Sequence, residues 1–138
     1  MRIRDKIKEL KKYLAEYSGL KPHSVDEFIG SLEKKATGER YFEKIVECAT
    51  DLAFLVISQN KLEEPTDDLS AFQVLFTSKI ISQPVCEALK HAKSMRNFIV
   101  HNYGEVKGET VFNALDTELP RDITAFVREI ETYLQSRS

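Results

Sequence analysis

The chain has no tryptophan, only two cysteines, four prolines and five glycines in 138 residues, and each scarcity excludes something. So little proline and glycine rules out collagen-like and low-complexity chains. Cys48 and Cys86 lie far apart inside apolar helical patterns. That spacing suits neither a zinc site nor a redox pair, and both are expected as reduced thiols in the core. The longest apolar run, residues 52–57, is too short to cross a bilayer. The opening Met1-Arg2-Ile3-Arg4-Asp5-Lys6 lacks the apolar centre of a signal peptide, so a soluble, cytoplasmic protein without membrane contact is expected. Positive charge in excess is missing too: the net charge is −2 and the pI about 6.0. Overall charge thus gives no support to polyanion binding, and any anion site must be local.

What is present reads as one folded unit. With 42% hydrophobic and 30% charged residues the composition is that of an ordinary globular chain. A single domain over residues 1–138 is expected, large enough to bury about two thirds of its unfolded surface without a disulfide or metal staple.

Hydrophobic periodicity then divides the chain. Ile3, Ile7, Leu10, Leu14 and Tyr17 recur at helical spacing, predicting a first helix that ends near Ser18-Gly19. Its other faces carry Arg2, Arg4, Lys6, Lys8, Lys11 and Lys12, read as a solvated basic face with an RNA contact as the alternative. Pro22 interrupts, and Ser24 with Glu27 predicts a capped short helix through Val25, Phe28, Ile29 and Leu32, with an exit over Lys34-Lys35-Ala36-Thr37-Gly38. A long helix follows over about residues 39–59. Its second half is apolar around most of its circumference and must be covered on more than one side. After a polar loop containing Pro65, Ser70 is expected to cap a fourth helix carrying Phe72, Leu75, Phe76 and Ile80. Pro84 suits the first turn of a fifth helix running to about His101. Gly104 and Gly108 bracket a turn, Val111, Phe112 and Leu115 begin a last helical segment, and Pro120 should break or kink it before Ile123, Phe126, Val127, Ile130 and Leu134. No stretch alternates like a strand. The fold class expected is all-α, an up-and-down bundle of about five main helices.

The fifth helix carries the chemistry. Val85, Leu89, Ala92, Met95 and Ile99 define a core stripe. Lys90, Lys93, Asn97 and His101 fall on a second stripe roughly opposite, with Arg96 on the border. Arg96 to Tyr103, an R-x4-H-x-Y pattern, resembles the motif of HEPN-domain proteins, specifically HepT-type toxins paired with a minimal nucleotidyltransferase antitoxin of the MntA kind. Arg40-Tyr41, the run Ala49-Thr50-Asp51-Leu52-Ala53 and the final amphipathic segment are similar to that family as well, so the resemblance spans most of the chain.

The resemblance implies an HEPN-like fold and a metal-independent endoribonuclease toxin, without a cofactor, acting on RNA such as tRNA or mRNA. It implies a homodimer with Arg96 and His101 catalytic in a shared groove, Asn97 as the supporting polar neighbour, and Tyr103 as the residue the antitoxin adenylylates. The chemistry agrees with these residue types. Metal-free RNA cleavage needs a base for the ribose 2′-OH, an acid for the leaving oxygen and a cation for the crowded phosphate. Histidine serves the first two and arginine the third. One imidazole does not easily serve as both acid and base, and two-fold symmetry supplies a second copy. Lys90 and Lys93 are candidate phosphate contacts.

Each residue also has a plainer reading. Arg96 would pair with a carboxylate such as Glu47 or Asp51; His101 would face the helix dipole as a C-terminal cation; Tyr103 would be a packed aromatic. His23 sits in a polar loop after Pro22 and His91 has no partner at useful spacing, so both read as structural or exposed. The competing function is a catalytically inert HEPN module that binds nucleotide or a partner enzyme, and behind it stands a purely structural helical dimer.

Overall fold

The computed structural model of the chain describes residues 2–101 and 108–137. Among these residues there is no strand, and helices follow one another from end to end. Helix α1 (Ile3–Leu20) buries Ile3, Ile7, Leu10 and Tyr17, the stripe that the spacing predicts. Helix α2 (Val25–Ile29) starts at Ser24, whose hydroxyl accepts the Glu27 N–H at 3.1 Å. The Glu27 carboxylate reaches back to the N–H of His23 at 3.3 Å.

Helix α3 (Leu32–Gln59) corrects the expected boundary. Residues 34–38 do not leave a helix; they belong to the first turns of the longest one. The reason is Ser31, whose Oγ accepts the Lys34 N–H at 3.2 Å and starts α3 directly after α2. Gly38 therefore has no terminating role. A Cβ there would lie 2.7 Å from Phe28 Cε1, 3.0 Å from Leu115 Cδ1 and 3.1 Å from the Tyr17 hydroxyl. The glycine admits three side chains onto the helix backbone, a close approach that no other residue allows.

Helix α4 (Asp68–Thr77) is capped by Asp67, not Ser70. Asp67 Oδ1 accepts the Ser70 N–H at 2.8 Å and Ser70 Oγ accepts the Asp67 N–H at 2.9 Å, so Ser70 is the reciprocal partner three residues in. After a left-handed Lys79 (φ 63°), buried Ile80 and Ile81 lead into helix α5 (Gln83–His101), with Pro84 in its first turn. Helix α6 (Gly108–Asn113) continues through a π-helical turn, Ala114–Glu118, into helix α7 (Leu119–Ser136). Pro120 thus neither breaks nor sharply interrupts the segment. Lacking an N–H, it cannot close the ordinary helical bond, and the chain accommodates it by widening the preceding turn, where the Leu119 N–H bonds back to Ala114 O.

Helix α3 is the axis. It packs against α1, α2, α4, α5 and α6, which covers the nearly all-apolar segment around Leu52, Ala53 and Val56 from several sides. Helix α7 closes over α5 and inserts Phe126 edge-on against Phe72, ring centroids 5.9 Å apart. Its Glu129 also takes the backbone N–H and hydroxyl of Ser82 at 2.7 and 2.9 Å, which pins the start of α5. Cys48 and Cys86 are both buried and unbridged, as expected.

Two glycine substitutions should separate packing from propensity. Gly38→Ala should lower stability by about 1–3 kcal/mol despite its gain in helix propensity, because the new methyl overpacks the core. Gly19→Ala, with nothing within 4 Å of the added carbon, should be neutral or raise stability by up to about 1 kcal/mol. Thermal or denaturant unfolding reads both.

Candidate active site

Helix α5 is held by charge as well as by apolar contact. Its buried face consists of Val85, Cys86, Leu89, Ala92 and Lys93. The presence of Lys93 is the departure from expectation: it is only 4% exposed. Its Nζ donates to Glu47 Oε1 of α3 at 2.7 Å and lies 2.9 Å from Asp68 Oδ2 of α4. A lysine so buried must be paired, and here two half-exposed carboxylates flank it. In this arrangement Lys93 ties α3, α4 and α5 together and is not the solvated phosphate contact that its place in the polar stripe suggested.

With Lys93 inside, the rotation of α5 differs from the sequence reading. At 3.6 residues per turn, Lys90, Asn97 and His101 lie within a band about 40° wide, about 100° from the centre of the buried face rather than opposite it. Lys90 Nζ donates to Gln73 Oε1 at 2.6 Å and is 3.9 Å from Glu87. Asn97 is half-buried and His101 is exposed.

Arg96 turns towards α3. Its Nε sits 3.0 Å from Glu47 Oε1, the same oxygen that Lys93 occupies, and its Nη2 lies 3.9 Å from Glu43. Nη1 donates to Asn97 Oδ1 at 3.2 Å. The Nε contact is a charge contact without hydrogen-bond alignment, so among the described residues this buried N–H has no aligned acceptor. The pairing of Arg96 with Glu47 is the plainer alternative named above, and it is present. Its donors are nonetheless incompletely used. Glu43 is shared with Arg40, 3.4 Å away.

The structure therefore brings together Arg96, Asn97, Lys93, Glu43, Glu47 and Asp68. It sets Lys90 and His101 on the adjacent flank, since five residues turn Arg96 and His101 about 140° apart around α5. Tyr103 lies outside the described residues. Glu43 and Asp68 escaped the sequence reading. Glu43 and Glu47 at i, i+4 on α3 were a usable signal of an acidic face, whereas nothing local to Asp68 points to Lys93.

Beside Glu43 and Glu47 a polar recess of about 220 Å³ opens between α1 and α3, lined also by Glu9, Tyr13, Lys44 and Cys48. The Cys48 thiol is pushed up to about 12 by burial and by the neighbouring Glu9 carboxylate, so it stays a thiol at neutral pH. Among the described residues no group of three His, Cys, Asp or Glu side chains is placed to hold a metal ion, and no helix is long and apolar enough to cross a membrane.

Separate stability roles follow for the two lysines. Lys93→Met should cost about 1–3 kcal/mol in denaturant unfolding, below the full cost of a broken buried pair because both carboxylates can rehydrate. Lys90→Ala, removing an exposed contact, should stay within about 0.5 kcal/mol.

Comparison with known proteins places this arrangement in a family. The family model described as "Ribonuclease HepT-like" matches residues 3–130. The tRNA nuclease HepT of Aphanizomenon flos-aquae is 24% identical over 132 residues, covering 96% of this chain and 89% of that protein. The mRNA nuclease HepT of Shewanella oneidensis is 27% identical over 89 residues, 64% of this chain and 66% of that protein. Among solved structures, the fold is similar to that of the tri-AMPylated Shewanella oneidensis HEPN toxin in complex with MNT antitoxin, with a TM-score of 0.87, 22% identity, and 96% and 99% of the two chains covered. It is also similar to the cytosolic YutE of Bacillus subtilis, a protein of unknown function, at a TM-score of 0.81 and 16% identity over 98% and 90% of the chains. With the family model matched from the first turn of α1 nearly to the end of α7, the chain belongs to the HepT-like ribonuclease family.

Proposed function

We propose that this protein is the single-domain toxin subunit of a toxin–antitoxin pair, a cytoplasmic endoribonuclease that cleaves RNA without a metal through Arg96 and His101. Family membership supplies the reaction class, and the named relatives act on tRNA and on mRNA. The observation that carries the assignment to Arg96 is its incomplete satisfaction: beyond one hydrogen bond from Nη1 to Asn97, the guanidinium is held by an unaligned Nε contact with Glu47 and a 3.9 Å contact with Glu43. A phosphate presenting two oxygens to the planar fork competes well against such partners, because bidentate charge-assisted bonds are among the strongest polar contacts.

In the proposed reaction, His101 removes the proton of a ribose 2′-OH. The 2′-oxygen attacks the adjacent phosphorus, Arg96 stabilises the added negative charge, and the bond to the 5′-oxygen breaks. A second imidazole, from the other copy of a two-fold dimer, gives its proton to the departing oxygen, leaving a cyclic phosphate and a free 5′-hydroxyl. The angular separation of Arg96 and His101 on one helix supports this dimer, since a groove lined by two copies of α5 can oppose the arginine of one to the histidine of the other. Asn97, bonded to Arg96 and beside His101 on the helix, orients both. Lys90 lines the approach.

Silencing would come from a nucleotidyltransferase partner of the MntA kind. Such an enzyme moves AMP from ATP to the Tyr103 phenol with loss of pyrophosphate, and the added anion repels RNA from the groove. The solved complex of a tri-AMPylated HEPN toxin with MNT antitoxin supports that partnership. The inert-module reading draws on one observation, the ion pairs that Arg96 already makes with Glu43 and Glu47.

Cleavage of tRNA and total RNA by purified, unmodified protein in EDTA decides between them. The nuclease reading expects cleavage in EDTA that falls by about 100-fold or more in Arg96→Ala and in His101→Ala, the usual effect of removing a charge stabiliser or a general base. Tyr103→Phe should still cleave and should no longer accept AMP from the partner enzyme. A folded, unmodified protein that leaves RNA intact would establish the inert module.

A further inference from the structure

The basic run of α1 plays no part in the reaction proposed above. Residues 2–12 hold six of the chain's 20 cations and two of its 22 carboxylates, so the remainder of the chain is net acidic. The helix sorts these cations by partner. Lys6, half-buried, lies 3.1 Å from Glu9 and 3.7 Å from Asp51 of α3. Lys11 lies 3.6 Å from Glu131 of α7. Arg4, Lys8 and Lys12 are exposed and form no ion pair among the described residues, although the field of Glu9 reaches Lys12. Asp5, on the same turn as Arg4 and Lys8, is exposed and pairs with neither.

These three cations stand four residues apart, with about 6 Å of helical rise between each and the next. They lie on the side of α1 turned away from the core stripe of Ile3, Ile7, Leu10 and Tyr17. Like charges at i, i+4 oppose helix formation, yet here they follow one another along two full turns. A rigid line of cations suits a polyanion with regularly repeated charges. It also borders the candidate active site. Lys6 reaches Asp51, one turn along α3 from Glu47, the carboxylate that Lys93 and Arg96 share. The first half of α1 and the end of α5 thus flank one face of α3, with the recess of Glu9, Tyr13, Glu43 and Glu47 between them. Lys6, Arg40 and Lys44 interleave with the carboxylates there, so a strand leaving Arg96 does not cross a bare acidic surface. An anionic membrane fits less well, because a helix that binds one lays its apolar side chains into the lipid, and the apolar stripe of α1 faces the core.

We propose that Arg4, Lys8 and Lys12 bind the phosphates of the RNA body outside the cleaved linkage, so that long RNA is taken in preference to short oligonucleotides and without regard to sequence. The consequence for cleavage rests on the nuclease reading above; the binding itself rests on the charge and placement of α1.

The test measures binding apart from cleavage. A labelled long 2′-O-methyl RNA strand, which lacks the free hydroxyl needed for cleavage, is titrated by anisotropy at several salt concentrations. It is offered to wild type, to Arg4→Gln/Lys8→Gln/Lys12→Gln, and to a control, Lys35→Gln/Lys61→Gln/Lys79→Gln, which removes the same charge from other elements. The α1 variant should bind about tenfold or more weakly at about 0.1 M salt, with the slope of log K against log salt flattened by about 2, since each single-strand contact contributes about 0.7. The control should stay within about twofold of wild type, because charges beyond about 10 Å are largely screened at that salt. Lys8→Gln alone should flatten the slope by about 0.7, which keeps the test open if the triple variant unfolds. On cleavable RNA the α1 variant should raise KM for long RNA and leave kcat, and the cleavage of a short oligonucleotide, within about twofold, as for loss of binding remote from the reacting atoms. Equal weakening in the control, or an unchanged slope in the α1 variants, would overturn the proposal, as would wild-type protein that binds phosphatidylserine vesicles and not RNA. RNA binding with the expected loss of slope but no cleavage by wild type would retain the contact and remove the nuclease.

Discussion

One carboxylate oxygen of Glu47 faces two cations from successive turns of α5, the Lys93 ammonium at 2.7 Å and the Arg96 guanidinium at 3.0 Å. Much of the site depends on that meeting. A lysine with its side chain 5% exposed cannot remain unpaired, and the requirement that Lys93 reach Glu47 and Asp68 acts together with the apolar face of Val85, Cys86, Leu89 and Ala92 in setting the rotation of the helix. From this rotation the remaining placements follow geometrically. Arg96 is drawn inward to α3, Lys90, Asn97 and His101 form the flank, and Phe98 is turned to solvent.

The same network describes a division of labour along the helix. Lys93 is a structural cation, enclosed and doubly paired. Arg96, three residues on and nearer the helix end, shares its acceptor yet is held less tightly, with Asn97 as an auxiliary partner. Glu43 and Glu47 hold the guanidinium against α3, and in the proposed reaction a phosphate exchanges with them at modest cost, because contacts between partly exposed charges contribute little. Locally the cations of Lys93 and Arg96 are matched by the carboxylates of Glu47, Asp68 and Glu43, in keeping with the chain's net charge of −2.

Sequence patterns carried the periodic features and failed where partners lie far apart in the chain. The stripe of α1, the long apolar α3, the proline at the start of α5 and the buried thiols were legible because each is local and repeats at a helical interval. The start of α3 was missed because Ser31, one cap among several polar residues, was outweighed by Gly38, whose role is to receive Phe28, Leu115 and Tyr17. Ser70 was taken for a cap when it is the partner of Asp67. Lys93 was placed in a solvated stripe because helical angle alone cannot foresee a carboxylate 46 residues away in sequence. Of the candidate site, the motif Arg96 to Tyr103 was visible in the sequence as a pattern, while of the carboxylates of α3 that position Arg96 the sequence reading named Glu47, beside Asp51, as its partner and missed Glu43.

The account turns on Arg96 and His101 acting across two copies of the chain. The most direct measurement joins a wild-type chain to a His101→Ala chain as a heterodimer, co-expressed with different tags and purified through both. A shared groove then holds one imidazole where the reaction needs two, and the heterodimer should cleave RNA in EDTA as poorly as the His101→Ala homodimer. A heterodimer that keeps about half of the wild-type rate would contradict the shared groove and return the site, whatever its chemistry, to a single subunit.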